Sequence, residues 1–268
     1  MNAETRGRAA DAIVTTHADD SPTPSFSVRV EFDIVFAQSP RPDGQLETLR
    51  LDLYLPEDDL TILRPVIVWL HGGGFRPGND KGQGYIVKLA TEFASRGYAG
   101  VAADYRVRAD PAGDWPAAVH DAVADARLAL DWVRANAAAY RMDARHIVLA
   151  GGSAGGMVVH NLCHDPGAPV DAARDGIFAA ISLWGPPRPE ARLFASVNPR
   201  CPPTHFIHGT ADALVPYHLS PELLAELNAA GVEGALLTLE GAPHTPVMHM
   251  DEICAAVEHF LRDRLFAV

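Results

Sequence analysis

Lysine is nearly absent from this 268-residue chain, which has only Lys81 and Lys88, and acidic residues outnumber basic ones. The 22 basic and 34 acidic residues give a formal net charge of −12. A surface with this excess of negative charge repels nucleic acid phosphates and anionic lipid headgroups. We therefore expect neither nucleic acid nor a membrane surface among the partners of this protein.

Cysteine is scarce, and no apolar run is long enough to span a bilayer. Cys163, Cys201 and Cys254 are widely spaced without a CxxC pair, which is typical of reduced thiols in the cytoplasm rather than of a zinc site. The run PVIVWL is far shorter than the roughly 20 apolar residues of a membrane helix. The opening stretch, MNAETRGRAADAIV, lacks the apolar core of about 7–15 residues found in secretory signals. These absences predict a cytoplasmic protein without a metal site.

Two alternating patterns open the ordered part of the chain. Residues 1–26 are polar and predict a flexible N-terminal arm. The first alternation predicts a half-buried strand whose inward residues are Val28, Val30, Phe32, Ile34 and Phe36. A second alternation, over residues 49–55, predicts an antiparallel partner for that strand.

From residue 65 onward, continuous apolar runs alternate with helical stretches. The runs PVIVWL, YAGVAAD, HIVLAG, FAAISLW and THFIHG are typical of strands buried on both faces. Apolar periodicity predicts helices over 115–138 and near the C-terminus, and Ser220 and Pro221 predict a cap and a first position for a helix over 220–230. Residues 27–268 therefore form one predicted α/β domain, with a mostly parallel sheet and helices on both faces.

The stretch GGSAGG lies between a predicted strand and a predicted helix. It contains the pattern G-x-S-x-G at Gly151, Ser153 and Gly155, in which small flanking residues allow a serine to occupy a strained strand-to-helix turn. A glycine-rich loop or a phosphate cradle uses the same residue types. The position after a strand, where ligands bind in such sheets, favours Ser153 as a nucleophile.

A serine nucleophile needs a base and an acid that orients it. Asp212 and His244 follow successive predicted strands, in the order Ser, Asp, His that this kind of sheet uses. Taken singly, each has a structural interpretation, as a turn residue for Asp212 and a solvated loop histidine for His244. His249 is a rival base within the predicted last helix, and Glu240 is a rival acid at a strand end. Their order and placement favour Asp212 and His244 as the acid and the base.

Three consecutive glycines follow another predicted strand, in WLHGGGF at residues 69–75. Attack on an ester carbonyl places negative charge on oxygen, which preorganised N–H donors stabilise. Ala154, directly after the serine at a helix start, supplies one donor. Further donors must come from a neighbouring loop without obstructing side chains. A tight surface turn would also use glycine, but the serine, acid and base nearby favour an oxyanion hole.

The motifs HGGGF, DYR (104–106), GGSAGG, HGTAD and PH (243–244), in this order, resemble the α/β-hydrolase fold. The resemblance covers about residues 45–265 and is to the esterase/lipase branch with an HGGG motif, which includes hormone-sensitive-lipase-like carboxylesterases. It implies supporting roles for His71, Asp104 and Arg106. By position it also implies Ser153 as the nucleophile, Asp212 and His244 as its partners, and Gly73, Gly74 and Ala154 as the oxyanion donors.

The chain departs from the larger members of that branch in its short insertions. The stretch 185–200 is modest, so we expect little or no cap domain, as in compact esterases near the feruloyl and acetyl esterases. Four residues near the motifs are candidates for lining the substrate pocket, with ordinary core packing as the alternative. These residues are Phe75, Trp184, Val215 and Met248.

Together these features predict a serine carboxylester hydrolase that acts without a cofactor on a small-molecule ester. The expected substrate carries a small or aromatic acyl group, which passes through an acyl-enzyme intermediate. One alternative keeps the machinery but cleaves an amide, as arylformamidases do. Another is a non-catalytic ligand-binding or lyase member of the fold, which typically lacks the serine or the histidine.

Overall fold

Eight strands form one mixed sheet in the computed structural model, which describes residues 26–57, 63–164, 177–187 and 197–265. The strands are β1 (Val28–Pro40), β2 (Leu46–Pro56), β3 (Arg64–Leu70), β4 (Ala99–Ala103), β5 (Met142–Gly152), β6 (Ile177–Leu183), β7 (Thr204–Gly209) and β8 (Gly234–Leu239). The helices are α1 (Gly84–Ser95), α2 (Trp115–Asn136), α3 (Ala154–Cys163), α4 (Leu219–Ala229) and α5 (Met250–Leu265). A 3-10 turn at Val247–His249 precedes α5.

The sheet order is β1-β2-β4-β3-β5-β6-β7-β8. The pairs β1–β2 and β2–β4 are antiparallel, and all other neighbouring strands are parallel. The continuous apolar runs lie in strands such as β4 and β7, which are buried throughout, as parallel strands covered on both faces require. The predicted antiparallel hairpin and mostly parallel sheet are confirmed.

Two hydrophobic clusters cover the two faces of the sheet. Val66 and Val68 of β3 belong to one cluster with residues of α2 and α3. Ile67 and Trp69 belong to the other, with residues of α1 and α5. Because successive strand residues point to opposite faces, helices lie on both sides of the sheet, as predicted. Strands held in this way bring their carboxyl ends, and the loops that follow them, to one edge.

The first strand contains a bulge that changes which face its side chains occupy. The β1–β2 register shifts between Glu31 and Ile34, and Asp33 has a φ of 56°. An extra residue in one strand reverses the facing of the residues beyond it, so Val30 packs against the α1/α5 cluster and Ile34 against the α2/α3 cluster. Phe32 is 67% exposed. The prediction that Phe32 faces inward is therefore wrong.

The start of α4 also differs from the prediction. The helix begins at Leu219, and its N-cap position is His218 without a side-chain cap hydrogen bond. The hydroxyl of Ser220 instead lies 2.7 Å from Nδ1 of His208, a buried side chain of β7. The predicted capping role of Ser220 is wrong because a partner distant in sequence engages its hydroxyl.

Two predictions fall largely outside the described residues. The predicted arm spans residues 1–26, of which only Phe26 is described, with its N–H donating to the carbonyl of Ser95 at 3.1 Å. Of the insertion at 185–200, residues 188–196 lie outside the described ranges. The flexible arm and the small cap stay predictions.

Candidate active site

Ser153 occupies the turn between β5 and α3, with φ 54° and ψ −118°. A non-glycine residue in this region is strained and persists only where its surroundings hold it. A Cβ atom on Gly151 would collide with the backbone of Gly155, and one on Gly155 would collide with the carbonyl oxygens of Leu70 and His71. The glycines of the G-x-S-x-G pattern thus permit the close packing that fixes the serine at the carboxyl end of β5.

Ser153, His244 and Asp212 form a continuous series of hydrogen bonds. Nε2 of His244 lies 2.9 Å from Oγ of Ser153, and Nδ1 lies 2.7 Å from Oδ2 of Asp212. The Asp212 side chain is fully buried, whereas that of His244 is 14% exposed. The structure thus brings together three residues that are 91 and 32 positions apart along the chain.

The two rival candidates have other partners. Nδ1 of His249 lies 3.1 Å from a carboxylate oxygen of Glu252, on an exposed part of the chain. Glu240 accepts a hydrogen bond from the hydroxyl of Thr210 at 3.2 Å. The hydrogen-bonded series to Ser153 contains neither His249 nor Glu240.

The glycine loop after β3 runs beside the serine. A Cβ atom on Gly72 would lie 3.2 Å from Cβ of Ser153, and Gly73 and Gly74 have φ values of 101° and 61°. Glycine adopts such values without steric cost. No atom of the described residues accepts a hydrogen bond from the N–H groups of Gly73, Gly74 or Ala154. These N–H groups are therefore available to an oxygen of a bound substrate.

His71 and Tyr105 support this loop from behind. Nδ1 of His71 lies 2.9 Å from the carbonyl oxygen of Gly72, to which it donates. The Tyr105 hydroxyl donates to the carbonyl of His71 at 2.7 Å, and the two rings stack with centroids 4.0 Å apart. Burial lowers the pKa of His71 to about 4, so this histidine is neutral near pH 7. These contacts agree with the supporting role that the resemblance implies for His71.

Asp104 and Arg106, which follow β4, each hydrogen-bond to other segments of the chain. A carboxylate oxygen of Asp104 accepts from the backbone N–H of Lys81 at 2.9 Å, and burial raises the pKa of Asp104. Arg106 donates through Nε to buried Asp125 at 2.8 Å and through a terminal nitrogen to the carbonyl of Pro40 at 2.7 Å. Both side chains therefore tie together segments that are distant in sequence.

Comparison with known sequences gives matches among esterases. A family model described as BD-FAE matches residues 51–162. The probable carboxylic ester hydrolase LipM of Mycobacterium tuberculosis is 33% identical over 135 residues, which cover 48% of this chain and 30% of LipM. Esterase LipC of the same organism is 26% identical over 233 residues, covering 72% of this chain and 56% of LipC. The matched part spans less than two thirds of either relative.

Comparison with solved structures gives the same result over most of the chain. Esterase 2 of Thermogutta terrifontis, solved in a form phosphoramylated by tabun, has a TM-score of 0.70 and 27% identity, covering 87% of this chain and 94% of that one. A truncated carbohydrate esterase from gut microbiota shares the fold, with a TM-score of 0.69 at 19% identity and coverage of 90% and 97%. This chain has the α/β-hydrolase fold and is similar to esterases in sequence and structure.

Within this α/β-hydrolase fold the carboxylate of Asp212 accepts four hydrogen bonds. Oδ1 accepts from the backbone N–H groups of Leu214 and Val215 at 2.8 and 2.9 Å. Oδ2 faces Nδ1 of His244 and also lies 3.1 Å from Nε2 of His208. Burial acts to raise the pKa of Asp212, but the hydrogen bonds, led by that from His244, outweigh burial and lower it. Asp212 is therefore a fixed anion near neutral pH.

His208 is a functional candidate that the sequence analysis missed. Its Nε2 faces two acceptors, Asp212 and the carbonyl of Val215 at 3.0 Å, so this nitrogen carries the proton. Nδ1 then accepts from the Ser220 hydroxyl at 2.7 Å. Burial lowers the pKa of His208, which keeps the ring neutral. Its position four residues before Asp212 in HGTAD was the available signal.

Three of the four predicted pocket residues are buried in the hydrophobic clusters. Phe75 and Val215 belong to the α2/α3 cluster, and Trp184 belongs to the α1/α5 cluster. Their burial favours the packing interpretation over direct contact with a substrate. Met248 is 92% exposed, in the 3-10 turn that follows His244. A role for Met248 at the rim of the site stays a prediction.

The described ranges contain neither a metal-ligand cluster nor a membrane-spanning helix. Within them, no group of three or more His, Cys, Asp or Glu side chains is arranged to hold a metal ion. None of the helices in the same part of the chain is both long and apolar enough to cross a membrane.

Proposed function

We propose that the chain is a serine carboxylester hydrolase with Ser153 as nucleophile, His244 as base and Asp212 as the orienting acid. The observation that carries the proposal is the hydrogen-bonded series from Oγ of Ser153 through His244 to Asp212, with distances of 2.9 and 2.7 Å. These distances lie within the reach needed for proton transfer. The relationship to named esterases supports the same reaction class.

The proposed reaction begins with the proton positions at His244. Its Nδ1 faces the carboxylate of Asp212 and carries the proton, which leaves the lone pair of Nε2 directed at the Ser153 hydroxyl. As Oγ attacks the ester carbonyl, Nε2 takes the hydroxyl proton and then gives it to the departing alkoxide. In the second step Nε2 takes a proton from water as the water oxygen attacks the acyl carbon, and it returns that proton to Oγ of Ser153 as the C–Oγ bond breaks and the acid departs.

The tetrahedral intermediates of both steps carry a negative oxygen. In this proposal the N–H groups of Gly73, Gly74 and Ala154 donate to that oxygen, because no described acceptor engages them and Gly72 runs beside Ser153. Ala154 also stands at the first position of α3, where the helix dipole favours negative charge. Removing one such donor costs roughly 10²–10³-fold in kcat in a comparable site.

We further propose that the acyl group is small, or aromatic and compact. The T. terrifontis esterase 2 structure at 26% identity was solved with propionate bound, which is a short carboxylic acid. A panel of p-nitrophenyl esters should therefore give its highest kcat/KM at acyl chains of about two to four carbons. A maximum at chains of about ten or more carbons would contradict this proposal.

The decisive experiment compares Ser153→Ala with the wild type on p-nitrophenyl acetate. We expect turnover to fall to background with folding intact, because the alanine variant lacks the nucleophilic Oγ of Ser153. Ser95→Ala is the matched control, since it removes a hydroxyl that donates to the carbonyl of Glu92 within α1. T. terrifontis esterase 2 is phosphorylated by paraoxon, so paraoxon should label Ser153 alone, read by mass spectrometry.

Retained turnover above a few per cent in Ser153→Ala would contradict the nucleophile assignment. Aryl formamides, assayed beside the esters, test the amide-cleaving alternative. A kcat/KM for the formamides above that for every ester would replace the ester proposal with that alternative.

A further inference from the structure

Two amide side chains, Asn79 and Gln83, lie against the glycine loop. Gln83 accepts through Oε1 from the N–H of Gly72 at 2.9 Å and donates through Nε2 to Oδ1 of Asn79 at 2.9 Å. Nδ2 of Asn79 donates to the carbonyl of Arg76 at 3.0 Å and lies 3.4 Å from that of Gly73. We call this pair the amide clamp.

The hydrogen bonds of the amide clamp run in one direction only. Because Gly72 supplies an N–H donor, Gln83 must turn its oxygen to the loop and its nitrogen to Asn79. Asn79 must then turn its oxygen to Gln83 and its nitrogen to the carbonyls of Arg76 and Gly73. Each amide orientation therefore depends on the other, and a change at one end alters the donor at the far end.

The clamp acts on the peptide units that carry the proposed oxyanion donors. The carbonyl of Gly73 and the N–H of Gly74 belong to one rigid peptide plane, so a donor at that carbonyl fixes and polarises the N–H on its other side. His71 acts in the same way at the carbonyl of Gly72, which shares a plane with the N–H of Gly73. Side-chain donors thus lie behind both planes, and at the Gly73 carbonyl Asn79 acts together with the backbone N–H of Arg76, which donates to the same oxygen at 3.2 Å.

The glycine conformations explain why external support is needed. Gly73 and Gly74 have positive φ values and no side chains, and the hydrogen bond within the loop at this point is that from the N–H of Arg76 to the carbonyl of Gly73 at 3.2 Å. The Asn79 side chain packs so closely against Gly73 that a Cβ atom there would collide with it. Asn79 therefore fills the space beside Gly73 and packs directly against this part of the loop.

We propose that Asn79 and Gln83 are positioning residues that hold the N–H groups of Gly73 and Gly74 for the oxyanion. This inference rests on the proposed ester hydrolysis at Ser153. Preorganised donors act mainly on the transition state, where the negative charge develops. Loss of the clamp should therefore lower kcat and leave KM nearly unchanged.

The test uses three variants that remove different parts of the clamp. Asn79→Asp keeps the shape and the acceptor for Gln83 but removes the donor to the loop. Gln83→Met keeps the length and removes both hydrogen bonds. Gln83→Glu keeps the acceptor for Gly72 but reverses Asn79, because a carboxylate accepts where the amide donated. We expect kcat to fall about 10- to 100-fold in all three, with KM within about twofold of wild type.

Inhibition by a boronate and a matched control variant separate positioning from a merely structural role. Phenylboronic acid forms a tetrahedral adduct on a serine nucleophile, so its inhibition constant should rise in parallel with the loss of kcat/KM. Asn136→Asp is the matched control, since Asn136 donates to the carbonyl of Trp132 within α2. It should keep wild-type kcat and inhibition by the boronate.

The outcomes are distinguishable from a failure of the proposed function. A wild type without Ser153-dependent ester hydrolysis overturns both proposals. If that hydrolysis is present and Gln83→Glu keeps wild-type kcat, the directional clamp is refuted while the proposed function stands. A rise in KM at unchanged kcat, or boronate inhibition that stays at the wild-type level, would also overturn the clamp.

Discussion

Two buried neutral histidines should make this protein sensitive to acid. Burial lowers the pKa of His71 to about 4 and that of His205 to about 3. For His205, the nearby charges of Arg264 and His259 lower it further. In the unfolded chain both rings would be solvated and would take up a proton near pH 6.5, the ordinary value for histidine.

The size of the effect follows from proton binding. Between about pH 6.5 and 5 the unfolded chain binds about one more proton at each of these histidines than the native protein does. Each then lowers the free energy of unfolding by about 1.4 kcal/mol per pH unit as the pH falls. Down to about pH 5 this amounts to about 2 kcal/mol for each histidine and about 4 kcal/mol for both.

Other buried groups act in the opposite direction, so the histidine effect must be isolated. Burial raises the pKa values of Asp104 and Glu258, and these acids stabilise the native state as the pH falls. His205→Gln removes a single histidine from β7 and leaves the acids in place. Any cost of replacing the ring itself is the same at each pH.

The assay is urea unfolding followed by tryptophan fluorescence at about pH 7.5 and about pH 5. The stability of His205→Gln relative to wild type should increase by about 2 kcal/mol on going to the lower pH. His218→Gln, which removes an exposed histidine at the start of α4, is the matched control. A difference between His205→Gln and wild type that stays constant within about 0.5 kcal/mol at the two pH values would refute this reasoning.

Three further predictions concern the site itself. His244→Ala should lower kcat on p-nitrophenyl acetate by about 10⁴-fold or more, whereas the kcat of His249→Ala should stay near that of wild type. The reverse result would show that His249, and not His244, is the base. Asp212→Asn should lower kcat on the order of 10⁴-fold at neutral pH, because an amide permits the wrong tautomer of His244. A loss below about tenfold would show that Asp212 does not orient His244. Gly155→Ala should lower Tm by at least about 5 °C, because its Cβ collides with backbone carbonyls. Gly84→Ala is the control and should not lower Tm, because a Cβ there meets nothing within 4 Å.

The sequence by itself determined the fold class and the order of the elements. Continuous apolar runs have a local physical cause, since a strand covered on both faces cannot expose polar side chains. The turn at Ser153 was equally predictable, because the G-x-S-x-G pattern is recognisable within five residues and Gly151 meets the backbone of Gly155 in the same stretch. The carbonyls of Leu70 and His71 that exclude a side chain at Gly155 come from a distant segment. Asp212 and His244 could be chosen because each follows a strand whose carboxyl end reaches the same edge of the sheet.

Tertiary structure alone decided which side chains from distant segments meet. Phe32 fits the alternating pattern, but the bulge at Asp33 depends on pairing with β2 and turns Phe32 outward. Ser220 has a good capping sequence, but His208 of β7 engages its hydroxyl. The position of Asn79 against Gly73 likewise left no periodic signal. Such contacts depend on the final packing of separate elements, whereas periodicity and turn sterics act within a single stretch of chain.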